Sequence, residues 1–190
     1  MTESGLVLQR DSKTRLSRVP AKRAFWFGWY AQFPHTMLIK RVTTMRIYLA
    51  CTVRGDRHGV NAGRVICERL QQHGHQVLTT HLLADDVEAA ESRLSENEVY
   101  RRDIDWLSRC EVLVAEASGS SYGVGFEVGY VLGRAASTGQ RVVLLYDTAR
   151  RHAISRLVVG NGDAACTTFA YTSLEDLTIF IDRHFASAPE

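Results

Sequence analysis

Residues 111–134, EVLVAEASGSSYGVGFEVGYVLGR, decide the fold of this 190-residue chain. Residues 111–115 form a short β-rich run, residues 119–125 a small-residue loop with exposed backbone, and from about Val124 the pattern turns helical. On that helix the positions i, i+3, i+4, i+7 and i+8 hold Val124, Glu127, Val128, Val131 and Leu132. All but one are aliphatic, and the exception is a carboxylate. An unpaired buried carboxylate is costly and shifts its pKa, so the spacing predicts that Glu127 is an inward-facing, active-site acid. Its place in the first turn sets it in the positive field of the helix N-terminus, which favours the ionised form. The competing reading is a capping or solvent-facing glutamate on a helix rotated from this register.

Outward from this unit, strands and helices alternate. Strands are expected at 46–52, 76–80, 111–115, 141–146 and 167–171. Helices are expected at 59–73, with Val60, Val65, Ile66 and Leu70 inward, and at 95–109, 124–137 and 174–185, with a short helical piece at 155–159. Strict β/α alternation implies a parallel sheet covered by helices on both faces. The expected fold is α/β, a flavodoxin-like (Rossmann-like) three-layer sandwich of five parallel strands in the order 2-1-3-4-5. Its ligand crevice opens at the carboxyl ends of strands one and three, between residues 51–55 and residues 116–127.

Composition bounds the function. A 45% hydrophobic content fits one globular domain at 45–190, and no run approaches the roughly 20 apolar residues of a membrane span. Cys51, Cys67, Cys110 and Cys166 are widely spaced, without CxxC or CxxH pairing, which argues for a reducing, cytoplasmic compartment and against a disulfide framework or zinc site. His73-Gly74-His75 reads as two exposed turn histidines rather than a metal site. Residues 1–44 carry eight Lys/Arg against two acids, a net of +6, which leaves −4 for residues 45–190 of a chain at +2. That basic, acid-poor segment reads as a poorly ordered extension. It fits an organelle transit sequence or an upstream reading-frame extension, and the second is favoured because Met45 stands immediately before a strand. Its charge is not taken as a sign of nucleic-acid binding.

At the crevice, Thr52 and Arg54 supply a hydroxyl and a guanidinium, while Ser120, Ser121, Gly123 and Gly125 supply hydroxyls and amides leading into a helix N-terminus. Arginine, oriented N–H groups and hydroxyls suit a phosphate or another anion. Gly123-x-Gly125-x-x-x-Gly129 fails the dinucleotide fingerprint, so NAD is discounted, and no cofactor is expected. The helix at 95–109 also carries an acid on its inward stripe: Val99, Asp103, Trp106, Leu107, Cys110. Asp105 falls off the stripe and reads as a solvated surface acid. Tyr48, on the first strand, places its phenol near either inward acid. Two such carboxylates and a hydroxyl suggest acid/base or nucleophilic work on a glycosidic bond. Taken singly, each acid also fits a buried, hydrogen-bonded structural role.

Four motifs, IYLACTVRG (47–55), VLTTH (77–81), RDIDWLSRCEVLVAE (102–116) and SYGVGFEVG (121–129), make the chain resemble a known family. It is similar to the 2'-deoxynucleoside 5'-monophosphate N-glycosidases, relatives of the nucleoside 2-deoxyribosyltransferases, over nearly all of residues 45–185. The resemblance implies that Glu127 attacks C1' of the deoxyribose, that Tyr48 orients it, and that Asp103 assists proton transfer beside the departing base. It implies that Thr52, Arg54, Ser121 and Gly123 hold the 5'-phosphate, and that His81 lies at the base end. Ser155 matches a serine that reaches the phosphate from a neighbouring subunit, which implies a homodimer. An apolar wall including Val53 would disfavour a ribose 2'-hydroxyl. The chain departs from the family at Cys51-Thr52, where Gly-Ser is usual, and at Ser120, where proline is usual. Hydrolysis of a deoxynucleoside monophosphate is the leading expectation. Deoxyribosyl transfer between bases, and a non-enzymatic nucleotide sensor, are the alternatives.

Overall fold

Strands β1 (Arg46–Ala50), β3 (Val112–Glu116) and β4 (Arg141–Asp147) are aliphatic runs because both of their faces are covered. The computed structural model describes residues 43–186, so the expected extension at 1–44 lies outside the described residues, Thr43 and Thr44 apart. In chain order, α1 (Val60–Gln72) and β2 (Gln76–Val77) follow β1, then α2 (Val87–Glu91) and α3 (Glu96–Arg109) lead into β3. After β3 come α4 (Tyr122–Thr138), β4, α5 (Arg156–Val159), β5 (Cys166–Tyr171) and α6 (Leu174–Phe185). All five strands are parallel, in the order β2-β1-β3-β4-β5. The expected α/β architecture is therefore the observed one.

Alternation along the strands sends successive side chains to opposite faces. Ile47, Leu49, Val112, Val114, Val143 and Leu145 pack under Ile66 and Leu70 of α1 and Leu177, Ile181 and Phe185 of α6. Tyr48, Leu113, Ala115 and Leu144 pack under Leu107 of α3 and Val124, Val128 and Val131 of α4. Tyr48 thus faces the layer that carries the two candidate acids. Helix α3 starts with a reciprocal capping box between Ser95 and Glu98. Gln140 secures its other end, its Nε2 donating to the carbonyls of Leu107 (2.7 Å) and Cys110 (2.8 Å).

Several local expectations need correction. Strand β2 is two residues long rather than five, because the Thr79 hydroxyl replaces the ladder: it accepts from Leu49 N at 3.0 Å and donates to Leu49 O at 2.6 Å. The chain then turns into a 3₁₀ segment at Thr80–Leu83. In α1, Val65 is half-buried, and Ala62, Gly63 and Cys67 join Val60, Ile66 and Leu70 on the buried face. The two turn histidines are not exposed. His75 is buried with Nε2 donating to the Phe185 carbonyl at 3.1 Å, and His73 is half-buried 2.9 Å from Asp182, because α6 packs across this turn. Among the described residues, no group of three or more His, Cys, Asp or Glu could hold a metal ion, and no helix is long and apolar enough to cross a membrane.

Candidate active site

The phenol of Tyr48, wholly buried at the centre of the sheet, donates a 2.7 Å hydrogen bond to Glu127 Oε1 across 79 residues of sequence. Helix α4 supplies Glu127 because it begins at Tyr122, capped by Ser121, whose hydroxyl accepts from Gly123 N at 3.1 Å. The helix therefore starts two residues before the expected Val124, and Glu127 falls in the second turn. Burial pushes the Glu127 carboxyl up to about 7, with the Tyr48 bond pulling down and the Asp103 charge pushing up. Burial first, then the charges of Glu127 and Asp103, hold the Tyr48 phenol far above its ordinary value, so it remains a donor.

Asp103, half-buried on α3, faces this pair. It is held by Arg102, whose Nε lies 2.8 Å from Asp103 Oδ1. The same guanidinium grips Glu91, at the end of α2, at 2.7 and 3.2 Å, and lies 5.0 Å from the centre of the Trp106 ring. Glu91 Oε1 is 3.3 Å from His81 Nε2, and the His81 ring is 5.4 Å from that of Trp106. Burial, then the nearby Arg102 charge, lowers the His81 pKa, which favours a neutral imidazole. Sequence reading did not single out Arg102 or Glu91. The only local signal is an arginine adjacent to Asp103, whereas α2 is brought over it by a non-local turn.

The anion-binding candidates come from the segment after β1 and from the loop between β3 and α4. Thr52 is buried, and its Oγ1 has no hydrogen-bond partner among the described residues. Gly119 is pressed onto it, so closely that a Cβ there would stand 2.4 Å from Thr52 Oγ1 and 2.2 Å from the Asp56 carbonyl. Ser120 adopts a left-handed φ of 52° and donates its amide to Ala117 O at 3.1 Å. Proline can do neither, so this loop has its own backbone shape where the resembled family has proline. Gly123 lies in the first turn of α4. Gly125 donates its amide to Ser121 O at 3.1 Å, which engages it within the helix. Val53 packs against a small cluster of Cys51, Leu82 and Val87. Burial pushes the Cys51 thiol up to about 12, so it does not compete as a nucleophile at neutral pH.

The structure does not bring every candidate together. Arg54 is exposed and lines a cavity of about 320 Å³ with Glu91, Leu94, Glu96, Val99 and Tyr100. Ser155 is exposed at the start of α5, and its side chain makes no cap bond. Nearby in sequence to these elements, Tyr122 (100%), Leu157 (86%) and Phe126 (54%) are strongly exposed apolar side chains.

Comparison with known proteins identifies the family. Residues 47–177 match the family model described as nucleoside 2-deoxyribosyltransferase. A Thermofilum pendens protein with the provisional name 2'-deoxynucleoside 5'-phosphate N-hydrolase 1 is 40% identical over 61% of this chain and 78% of its own. A Danio rerio protein named 5-hydroxymethyl-dUMP N-hydrolase is 33% identical over 61% of this chain and 78% of its own. The fold matches a solved Clostridium botulinum CMP N-glycosidase with a TM-score of 0.54 and 16% identity, covering 73% of this chain and 98% of that one.

Proposed function

This chain belongs to the nucleoside 2-deoxyribosyltransferase family, and within it we propose that the protein hydrolyses the N-glycosidic bond of 2'-deoxynucleoside 5'-monophosphates. The products are a free base and 2-deoxyribose 5-phosphate. The observation that carries this reading is the 2.7 Å hydrogen bond from Tyr48 to Glu127, with Asp103 near enough for its charge to act on both groups. The names of the two relatives just given support the bond broken and the substrate class.

In the first step, ionised Glu127 attacks C1' with one oxygen while Tyr48 engages the other. The C1'–N bond breaks, its electron pair leaves with the base, and Asp103 assists delivery of a proton to that base. In the second step, water attacks C1' and the bond to Glu127 breaks, so one water is consumed and the carboxylate is regenerated. A nucleophile whose carboxyl titrates near 7 is half ionised at neutral pH, within reach of its working form. Thr52, with its orphan hydroxyl, joins Ser121 and Gly123 around the 5'-phosphate, and Arg54 adds charge from the cavity lip. Val53 presents an apolar surface to the sugar, where a ribose 2'-hydroxyl would lack a partner. His81 and Trp106 bound the base end. Ser155 reaches the phosphate of a second subunit in a homodimer, and the exposed Tyr122, Phe126 and Leu157 support such an interface.

The family description itself favours one second reading, transfer of deoxyribose between bases. The deciding experiment is free-base release from the four common deoxynucleoside monophosphates, beside the matching deoxynucleosides and ribonucleotides, with and without an acceptor base. Release from the monophosphates alone is expected. Release only from nucleosides with an acceptor present would replace hydrolysis by transfer.

A further inference from the structure

A fully buried acid lies outside the proposed chemistry. Glu116 ends β3, is 1% exposed, and has no ion-pair partner among the described residues. Among the described residues, its hydrogen bonds all fall on one oxygen. Oε1 accepts from Ser118 Oγ at 2.5 Å, Tyr171 OH at 2.8 Å and Ser118 N at 3.3 Å. Ser118 Oγ in turn accepts from Asp147 N at 2.8 Å. One carboxylate thereby joins the ends of β3, β4 and β5 at the crevice edge. Its other oxygen lies flush on the start of α1, where a Cβ on Gly59 would stand 1.5 Å from Oε2.

An apolar side chain of similar size would fill this place without desolvating a charge, but would leave the Ser118 and Tyr171 hydroxyls without this acceptor. A carboxylate adds an acceptor that fixes the direction of Ser118. The next residue, Gly119, is the one pressed onto Thr52 Oγ1 and the Asp56 carbonyl. Ser120 takes its left-handed turn immediately afterwards, and Ser121 caps α4. The loop is therefore held at two successive residues, Ser118 and Gly119.

Resting on the phosphate pocket of the proposed function, we infer that Glu116 is a positioning residue that holds the β3–α4 loop in the shape that receives the 5'-phosphate. It acts through Ser118 and Gly119 and does not touch the substrate.

The test is steady-state kinetics of Glu116→Met and Glu116→Gln with a deoxynucleoside monophosphate, together with the dissociation constant for inorganic phosphate. Methionine keeps the volume and removes the acceptor, so KM and the phosphate constant should both rise about 10- to 100-fold, as for a misplaced loop, while kcat holds. Glutamine keeps a carbonyl oxygen at Oε1, and both constants should return close to wild type. Should Glu116→Met not fold, the triple variant Glu116→Met, Ser118→Ala, Tyr171→Phe leaves no hydroxyl unpaired and should show the same rise. Unchanged KM and phosphate binding in a folded Met or triple variant would overturn the inference, as would a loss confined to kcat. Wild-type enzyme that is indifferent to the 5'-phosphate would instead overturn the pocket itself, whatever the variants do.

Discussion

Replacing Glu127 with glutamine is expected to stop turnover and, above neutral pH, to stabilise the fold. The carboxyl rises from its ordinary 4.5 to about 7 in the folded protein, chiefly through burial. The folded state therefore holds the proton more tightly than the unfolded state. Stability is lost as pH climbs past the unfolded value near 4.5, and the loss is complete above the folded value near 7. At about 1.4 kcal/mol per pKa unit, the full penalty is about 3 kcal/mol. Glutamine does not ionise and still offers an oxygen to Tyr48, so it escapes the penalty. The gain should be about 3 kcal/mol at pH 8 and under about 1 kcal/mol at pH 5. At roughly 2–4 °C per kcal/mol for a domain near this size, the melting temperatures should differ by roughly 6–12 °C at pH 8. Thermal unfolding of both proteins at the two pH values measures this directly. An equal gap at both pH values, or a less stable glutamine variant at pH 8, would refute the argument that burial disfavours the charged acid.

Tyr48→Phe removes the bond that pulls the Glu127 carboxyl down, so the acidic limb of the kcat/KM profile should move to higher pH and the maximum fall about 10- to 100-fold. An unmoved limb would detach Tyr48 from the nucleophile. Arg54→Ala should raise KM for the monophosphate with little change in kcat, and unchanged KM would remove Arg54 from phosphate binding. Mixing Glu127→Ala with Ser155→Ala chains should restore about a quarter of the sites if each site takes Glu127 from one subunit and Ser155 from the other; no recovery in mixed dimers would make Ser155 an ordinary surface residue. Gln140→Ala strips the donor from the Leu107 and Cys110 carbonyls, and should cost about 1–3 kcal/mol in urea unfolding while sparing kcat.

Much of this architecture was legible because it rests on local pattern. Doubly buried strands give aliphatic runs, and an acid breaking the α4 stripe at Glu127 signals an inward side chain. What sequence hid depends on partners far along the chain. The upward shift of the Glu127 carboxyl was hidden because Ser121 caps α4 two residues early, which takes Glu127 out of the first turn, and because its burial depends on residues far along the chain. Glu116 looked like the last residue of a strand, since its partner Tyr171 stands 55 residues away. His73 and His75 looked exposed until α6, more than a hundred residues on, was laid across them. Arg102 could be seen beside Asp103, but not its second carboxylate on α2. The shortness of β2 was also hidden, because a threonine in a β-rich run reads as strand whether its hydroxyl faces solvent or takes over the ladder.

That substitution at Thr79 makes the two borders of the sheet unequal. On one side, β2 exposes two residues before a side chain closes the pairing and the backbone turns away. An arriving strand finds almost nothing there to zip onto. On the other side, β5 runs six residues, Cys166–Tyr171, with Thr167 and Thr168 exposed and no further strand among the described residues. Templated growth of a sheet needs a row of free N–H and C=O groups, and only the β5 border supplies one of useful length. Self-association through backbone pairing, or a strand grafted on by design, therefore has one available port, the border farthest from β2 in the sheet.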